Sequence, residues 1–216
     1  MRWKHFICIG AIVGWLPLQA HARPVSYPDA WTVMIKNDVQ QYSFHAHYTL
    51  DVNHSLGLRL RYDRDDDVVF TGAQLNRLFK RWNKPDSQAN WYGRIAVGHV
   101  QDEKPDLLAQ DDDLGIFLGT SADWETRRWF ISGAVEYWDF GRYGQKQSFH
   151  SRLGVAPYIA NTGALHTWIM LEGHNRPESN DPMTGTLLLR FFKGPSLLEL
   201  GIDDNTNPMV NYIHRF

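Results

Sequence analysis

The segment Tyr42 to Tyr62, YSFHAHYTLDVNHSLGLRLRY, changes character at almost every step. Tyr42, Phe44, Ala46, Tyr48 and Leu50 share one parity, and Leu56, Leu58, Leu60 and Tyr62 resume it after Val52-Asn53-His54. Between them stand Ser43, His45, His47 and Thr49, then Ser55, Gly57, Arg59 and Arg61. Successive side chains of a β-strand point to opposite faces, so a period of two reads as two strands with one apolar and one polar face. The three residues between them predict a compact turn and an antiparallel pair.

Working outward, the same alternation returns at Trp91, Gly93, Ile95, Val97 and at Trp129, Ile131, Gly133, Val135, Tyr137. It recurs at Leu153, Val155, Pro157, Ile159, at Leu187, Leu189, Phe191, at Leu198, Leu200, Ile202 and at Val210, Tyr212, Phe216. The pattern predicts about twelve strands, at 31–37, 42–50, 55–63, 67–82, 88–100, 114–124, 128–140, 147–159, 164–174, 184–192, 196–202 and 209–216. Merging weak segments such as 31–37 reduces the count to ten. Leu75, Leu78, Phe79 and Trp82 sit at helical spacing, but an isolated helix this short is marginal, and the segment reads as strand. Connections at 38–41, 64–66, 101–113, 141–146, 175–183 and 203–208 include the longest and most acidic ones, whereas 52–54, 83–87, 125–127, 160–163 and 193–195 read as compact turns. With the longer set outside, both termini are expected on the periplasmic side.

Residues 1–22 read as an export signal: Arg2 and Lys4, an apolar run from Phe6 to Leu18, then Ala20-His21-Ala22 as a small-x-small cleavage site. Cleavage after Ala22 leaves 23–216 as one domain. The apolar run is short of the roughly 20 residues a spanning helix needs, and nothing after it approaches that length. Cys8, the only cysteine, lies in the signal, so the mature chain has no disulfide, thiolate metal site or cysteine nucleophile. A net charge of -2 supplies no basic footprint for nucleic acid, and no cofactor motif is present.

Alternation alone also fits a soluble barrel or a sandwich, whose outer face carries mixed charge. Three features favour an all-β, antiparallel up-and-down transmembrane barrel. Charges of both signs recur on the polar parity: His45, His47, Arg59, Arg61, Arg94, Glu136, His150, Arg152, Glu172, His174, Arg190, Glu199 and Arg215. An enclosed lumen lets such charges pair across strands. Aromatic residues make up 13% of the chain and gather near predicted strand ends, among them Trp31, Tyr42, Tyr62, Trp91, Trp124, Trp129, Trp138, Phe149 and Tyr212, as interfacial girdles require. Finally, Val210, Tyr212 and the terminal Phe216 resemble the assembly signal of bacterial outer-membrane barrels, which implies recognition by the barrel-assembly machinery.

The segments from Tyr27-Pro28 to Trp31 and from Gln74-Leu75-Asn76 to Lys80-Arg81-Trp82-Asn83 resemble an uncharacterised group of proteobacterial outer-membrane proteins. That resemblance implies the barrel fold, the bacterial outer membrane and its lipids as surroundings, and no activity.

Several constellations bear on chemistry. His45 and His47 share a strand face roughly 7 Å apart, near enough to hold one metal ion if a third ligand faces them. His54 follows closely, and Glu172 and His174 form a similar pair. An ordinary polar lumen explains the same residues. Ser148 and His150 form a same-face pair of the serine-histidine type used by lipid hydrolases, but in reversed order and without an evident acid. Asp65-Asp66-Asp67 and Asp111-Asp112-Asp113 read first as solvated acidic loops, with calcium or a divalent ion bridging to lipid phosphate as the alternative. The expected function is a narrow channel for small solutes or ions, its selectivity set by the inward charges. A non-conducting structural or surface-interaction barrel is the alternative, with a lipid-active enzyme or a metal-handling barrel behind it. The oligomeric state is not legible.

Overall fold

A computed structural model of the chain describes residues 25, 27–102, 113–179 and 181–216. The expected signal segment and its cleavage after Ala22, and Asp111 and Asp112 of the acidic run, lie outside the described residues.

Twelve antiparallel strands run in chain order: β1 Trp31–Asn37, β2 Gln41–Thr49, β3 His54–Asp63, β4 Val68–Lys84, β5 Ser87–Asp102, β6 Asp113–Thr126, β7 Trp129–Asp139, β8 Gln145–Val155, β9 His166–Asn175, β10 Met183–Lys193, β11 Ser196–Asp203 and β12 Pro208–Arg215. Each pairs with its sequence neighbours, and β1 pairs with β12, from Thr32 opposite Arg215 to Asn37 opposite Val210. The sheet is therefore a closed up-and-down barrel. Closure leaves no edge strand with unpaired backbone groups. The Phe216 N–H bonds the Trp31 carbonyl at 2.9 Å, extending the seam to the last residue.

The deciding segment folds as the alternation predicts, with Tyr42 opposite Tyr62, Phe44 opposite Leu60 and Tyr48 opposite Leu56. Those side chains face outward, while Ser43, His45, His47, Thr49, Ser55, Arg59 and Arg61 are buried inside. Around the barrel the outer surface exposes leucine, isoleucine and valine, for example Leu58, Ile95, Leu118, Ile131, Leu171, Leu189 and Leu200. Aromatic residues border this band at both ends. Trp31, Trp91, Trp124 and Trp129 lie at the end bearing the tight turns, and Tyr42, Tyr62 and Phe149 lie toward the opposite rim.

Two local readings need correction, and the helical spacing of a segment read as strand has a local cause. Trp138 does not join an outer girdle: it is 1% exposed, because Tyr137 takes the outward parity, and it packs inside against Phe70, Phe117 and Phe140. The strand expected at 147–159 stops at Val155, so Pro157 and Ile159 lie in a connection over 156–165 rather than on an apolar strand face. Proline has no N–H for the ladder, and the last bond there is Ala156 N–H to the Arg128 carbonyl. The helical spacing at Leu75, Leu78, Phe79 and Trp82 is produced by a bulge between Leu78 and Lys80. The extra residue resets the alternation: Leu78 faces in opposite Tyr92, and the next pair is Lys80 with Trp91.

Close backbone approach explains Gly72 and Gly98, which face each other on β4 and β5. A Cβ on Gly72 would lie 2.5 Å from the Val97 carbonyl oxygen, and one on Gly98 would strike the Thr71 carbonyl and the Gly72 Cα. Overpacking of this kind typically costs about 1–3 kcal/mol. Gly98→Val is expected to lower the stability of the refolded barrel by at least that amount, read from urea titrations in detergent micelles.

Candidate functional site

Among the described residues the interior holds two larger apolar lobes, a small cluster of Val25, Leu78 and Tyr92, and a polar belt. One lobe contains Val68, Phe70, Ala96, Val100, Phe117, Trp138 and Phe140, on β4–β7 and just beyond, toward the long-loop rim. The other contains Ala156, Trp168, Met170, Leu188 and Met209, with Phe130 against them. Between them lies a cavity of about 300 Å³. Its wall includes Lys36, Arg59, Arg94, Glu136, Glu172 and Glu199, drawn from β1, β3, β5, β7, β9 and β11.

Every residue singled out for the interior takes the inward parity. His45, His47, Arg59, Arg61, Glu172, His174 and Glu199 are buried, and Arg94, Glu136, Arg152 and Arg190 are nearly so. Arg215 lies at the turn end of β12 opposite Thr32. Cross-strand register then decides the partners. Glu199 accepts from Arg152 Nη1 at 2.8 Å, Arg190 Nε at 2.7 Å and Asn211 Nδ2 at 2.8 Å. Arg152 also donates from Nε to Glu172 at 2.8 Å, and Arg94 pairs with Glu136 at 3.1 Å. Buried charges are tolerated when paired and hydrogen-bonded, and here each partner stands on a neighbouring strand or two or three strands away.

Arg59 is different. Its guanidinium stacks 4.6 Å from the Phe117 ring and 4.9 Å from that of Trp138, and it donates to Gln74 Oε1 at 3.0 Å. Among the described residues it meets no carboxylate within ion-pair distance. Arg61 stacks 4.5 Å from Trp138 and bonds Asp63 at 2.7 Å. These cation–π contacts cap the larger apolar lobe.

The rim with the longer loops carries a bridge that the sequence reading did not identify. Lys146 on β8 reaches Asp63 on β3 at 2.6 Å and Asp66 in the next turn at 2.8 Å, although β3 and β8 are five strands apart around the sheet. Asp65 lies 3.7 Å from the same ammonium, and Asp67 accepts from the Tyr62 hydroxyl at 2.7 Å. The acidic run 65–67 thus serves cationic and hydroxyl donors of this chain. Lys146 shares its parity with Ser148, His150 and Arg152, which was the available signal.

At the same rim, Asp38 lies in the β1–β2 turn, where burial alone would raise its pKa. Lys36 at 3.1 Å, the Arg176 charge and the Gln40 N–H outweigh burial and hold the pKa at about 2. In the turn before β3, hydrogen bonds from the Asn53 N–H and from His54 lower the pKa of Asp51. His54 therefore starts β3 and holds that turn through Asp51, on the parity opposite the inward Ser55.

The histidines sort into two groups on opposite walls. His45 and His47 lie tilted against each other at 4.7 Å between ring centroids on β2, and among the described residues neither His47 nitrogen has a hydrogen-bond partner. Glu172 and His174 on β9 are brought instead to His150 on β8, a residue expected on the inward face and beside Ser148 but not with this pair. Ser148 Oγ does lie 3.2 Å from His150, but at Nε2, the nitrogen that also faces His174 at 2.8 Å. Among the described residues no carboxylate bonds Nδ1 of His150 to orient it as the base of a triad.

No known protein-family profile matches the chain, and no curated protein matches it in sequence. Among solved structures it is similar to the KdgM porin, at 6% identity and a TM-score of 0.49, covering 87% of this chain and 98% of that one. It is also similar to OccAB4 of Acinetobacter baumannii, at 10% identity and a TM-score of 0.40, over 82% of this chain and 53% of that one. A loop-deletion form of OmpT, an outer membrane protein of Vibrio cholerae, aligns at 7% identity and a TM-score of 0.29, over 87% of this chain and 98% of that one.

Two stability outcomes follow. Glu199→Ala leaves Arg190 without its carboxylate and Arg152 with only Glu172, so a loss of about 3–5 kcal/mol is expected in equilibrium unfolding. A depressed folded-state pKa stabilises the fold above the unfolded value of 3.8 and loses that contribution as pH falls toward about 2. Asp38→Asn should therefore cost roughly 2 kcal/mol at neutral pH, with the gap to wild type closing between pH 4 and pH 2.

Proposed function

We propose that this chain is an outer-membrane barrel acting as a narrow channel for small solutes or ions, with the inward charges setting its selectivity. The observation that carries the reading is the charged cavity of about 300 Å³ left in the middle of a closed barrel whose outer surface is apolar. Hydrocarbon cannot hydrogen-bond backbone groups, so a sheet that spans it must close on itself, as this one does. The rims of tyrosine and tryptophan suit headgroup depth, and Phe216, 75% exposed at the end of the closing strand, suits recognition by the assembly machinery. Because most lumen charges are paired and Arg59 is not, selectivity should be weak and toward anions.

A non-conducting scaffold is favoured by a different observation, the Lys146 bridge together with the aromatic lobe beneath it. Planar-bilayer recordings separate the two. The channel reading expects small stepwise conductance, larger steps for Lys146→Met, and a reversal potential displaced toward cations for Arg59→Gln. Folded, inserted protein that passes no current, with or without Lys146, would establish the scaffold instead.

A further inference from the structure

We propose that His150, His174 and Glu172 form a binding site inside the barrel for a divalent transition-metal ion of the Zn2+, Ni2+ or Cu2+ class. Antiparallel pairing sets His150 opposite His174 and Arg152 opposite Glu172. The two imidazoles pack obliquely, tilted 43° with their ring centroids 3.6 Å apart and their Nε2 atoms 2.8 Å apart. The three candidate ligand atoms lie within 4.8 Å of one another. Metal–nitrogen and metal–oxygen bonds of about 2.0–2.2 Å need donors only slightly rearranged from this spacing. Each neutral imidazole offers one unprotonated ring nitrogen, the donor that a metal ion needs. Imidazole with carboxylate, and no thiolate, selects borderline ions rather than soft Cu(I).

The neighbouring charges are arranged so that the ligands can be released. Arg152 grips Glu172 but also Glu199 at 2.8 Å, so it keeps a carboxylate when Glu172 turns an oxygen to the ion. Glu136 lies 4.0 Å from the same His150 nitrogen and adds negative charge. The resident cation is Arg176, in the connection after β9, whose Nη2 lies 2.6 Å from His174 Nδ1 and 3.1 Å from its Nε2. An incoming ion displaces this guanidinium, which makes Arg176 the competitor for the site. His45 and His47, by contrast, occupy the opposite wall, and among the described residues no third ligand joins them.

The site depends on the closed barrel and not on conduction, so it is tested by zinc titration calorimetry of mature, detergent-folded protein. One zinc site is expected, weakened at least tenfold by His150→Ala with His174→Ala and by His174→Gln, and left intact by His45→Ala with His47→Ala. Arg176→Ala should tighten it, a gain that misfolding does not imitate; heat-modifiable gel mobility verifies that each variant is folded. Zinc binding that survives loss of both His150 and His174, or none in either wild type or Arg176→Ala, overturns the site while leaving the conductance experiment unaffected.

Discussion

The ring of backbone hydrogen bonds that joins β1 to β12 is the constraint on which everything else rests. Once the sheet closes, every strand has two neighbours, and each residue is committed to the inside or the outside by parity alone. The outer parity carries leucine, isoleucine, valine and aromatic rims. The inner parity must then accommodate arginine, glutamate and histidine in a space narrow enough for them to meet.

That enclosure accounts for the character of the interior. Charges removed from bulk water need partners, and the barrel supplies them as a wall network centred on Glu199 and as guanidinium groups stacked on aromatic rings. Arginine suits both tasks, because its planar fork serves carboxylates and its face serves rings. The result is a lumen partly filled by its own side chains, with apolar lobes to either side of a charged cavity and a lysine bridge at one rim.

Most strand positions were legible because a half-polar, half-apolar sheet writes its period directly into the chain. The exceptions had local causes. Pro157 ended β8 early despite apolar neighbours of the right parity, whereas the bulge at Leu78/Lys80, which gives helical spacing by resetting the phase, left the strand reading of β4 intact. Trp138 looked like a rim residue because strand ends invite that reading, yet one step of parity sent it inside.

Sequence by itself pointed to about twelve strands, the two faces of nearly all of them, and which charged residues turn inward, because those depend only on the alternation of neighbours along one strand. Tertiary structure alone decided which inward residues meet. His150 joining His174 and Glu172, Lys146 reaching Asp63, and Arg59 finding aromatic rings instead of a carboxylate all depend on register between strands and distance across the lumen. Those relations join residues far apart in the chain, and no pattern along a single strand encodes them.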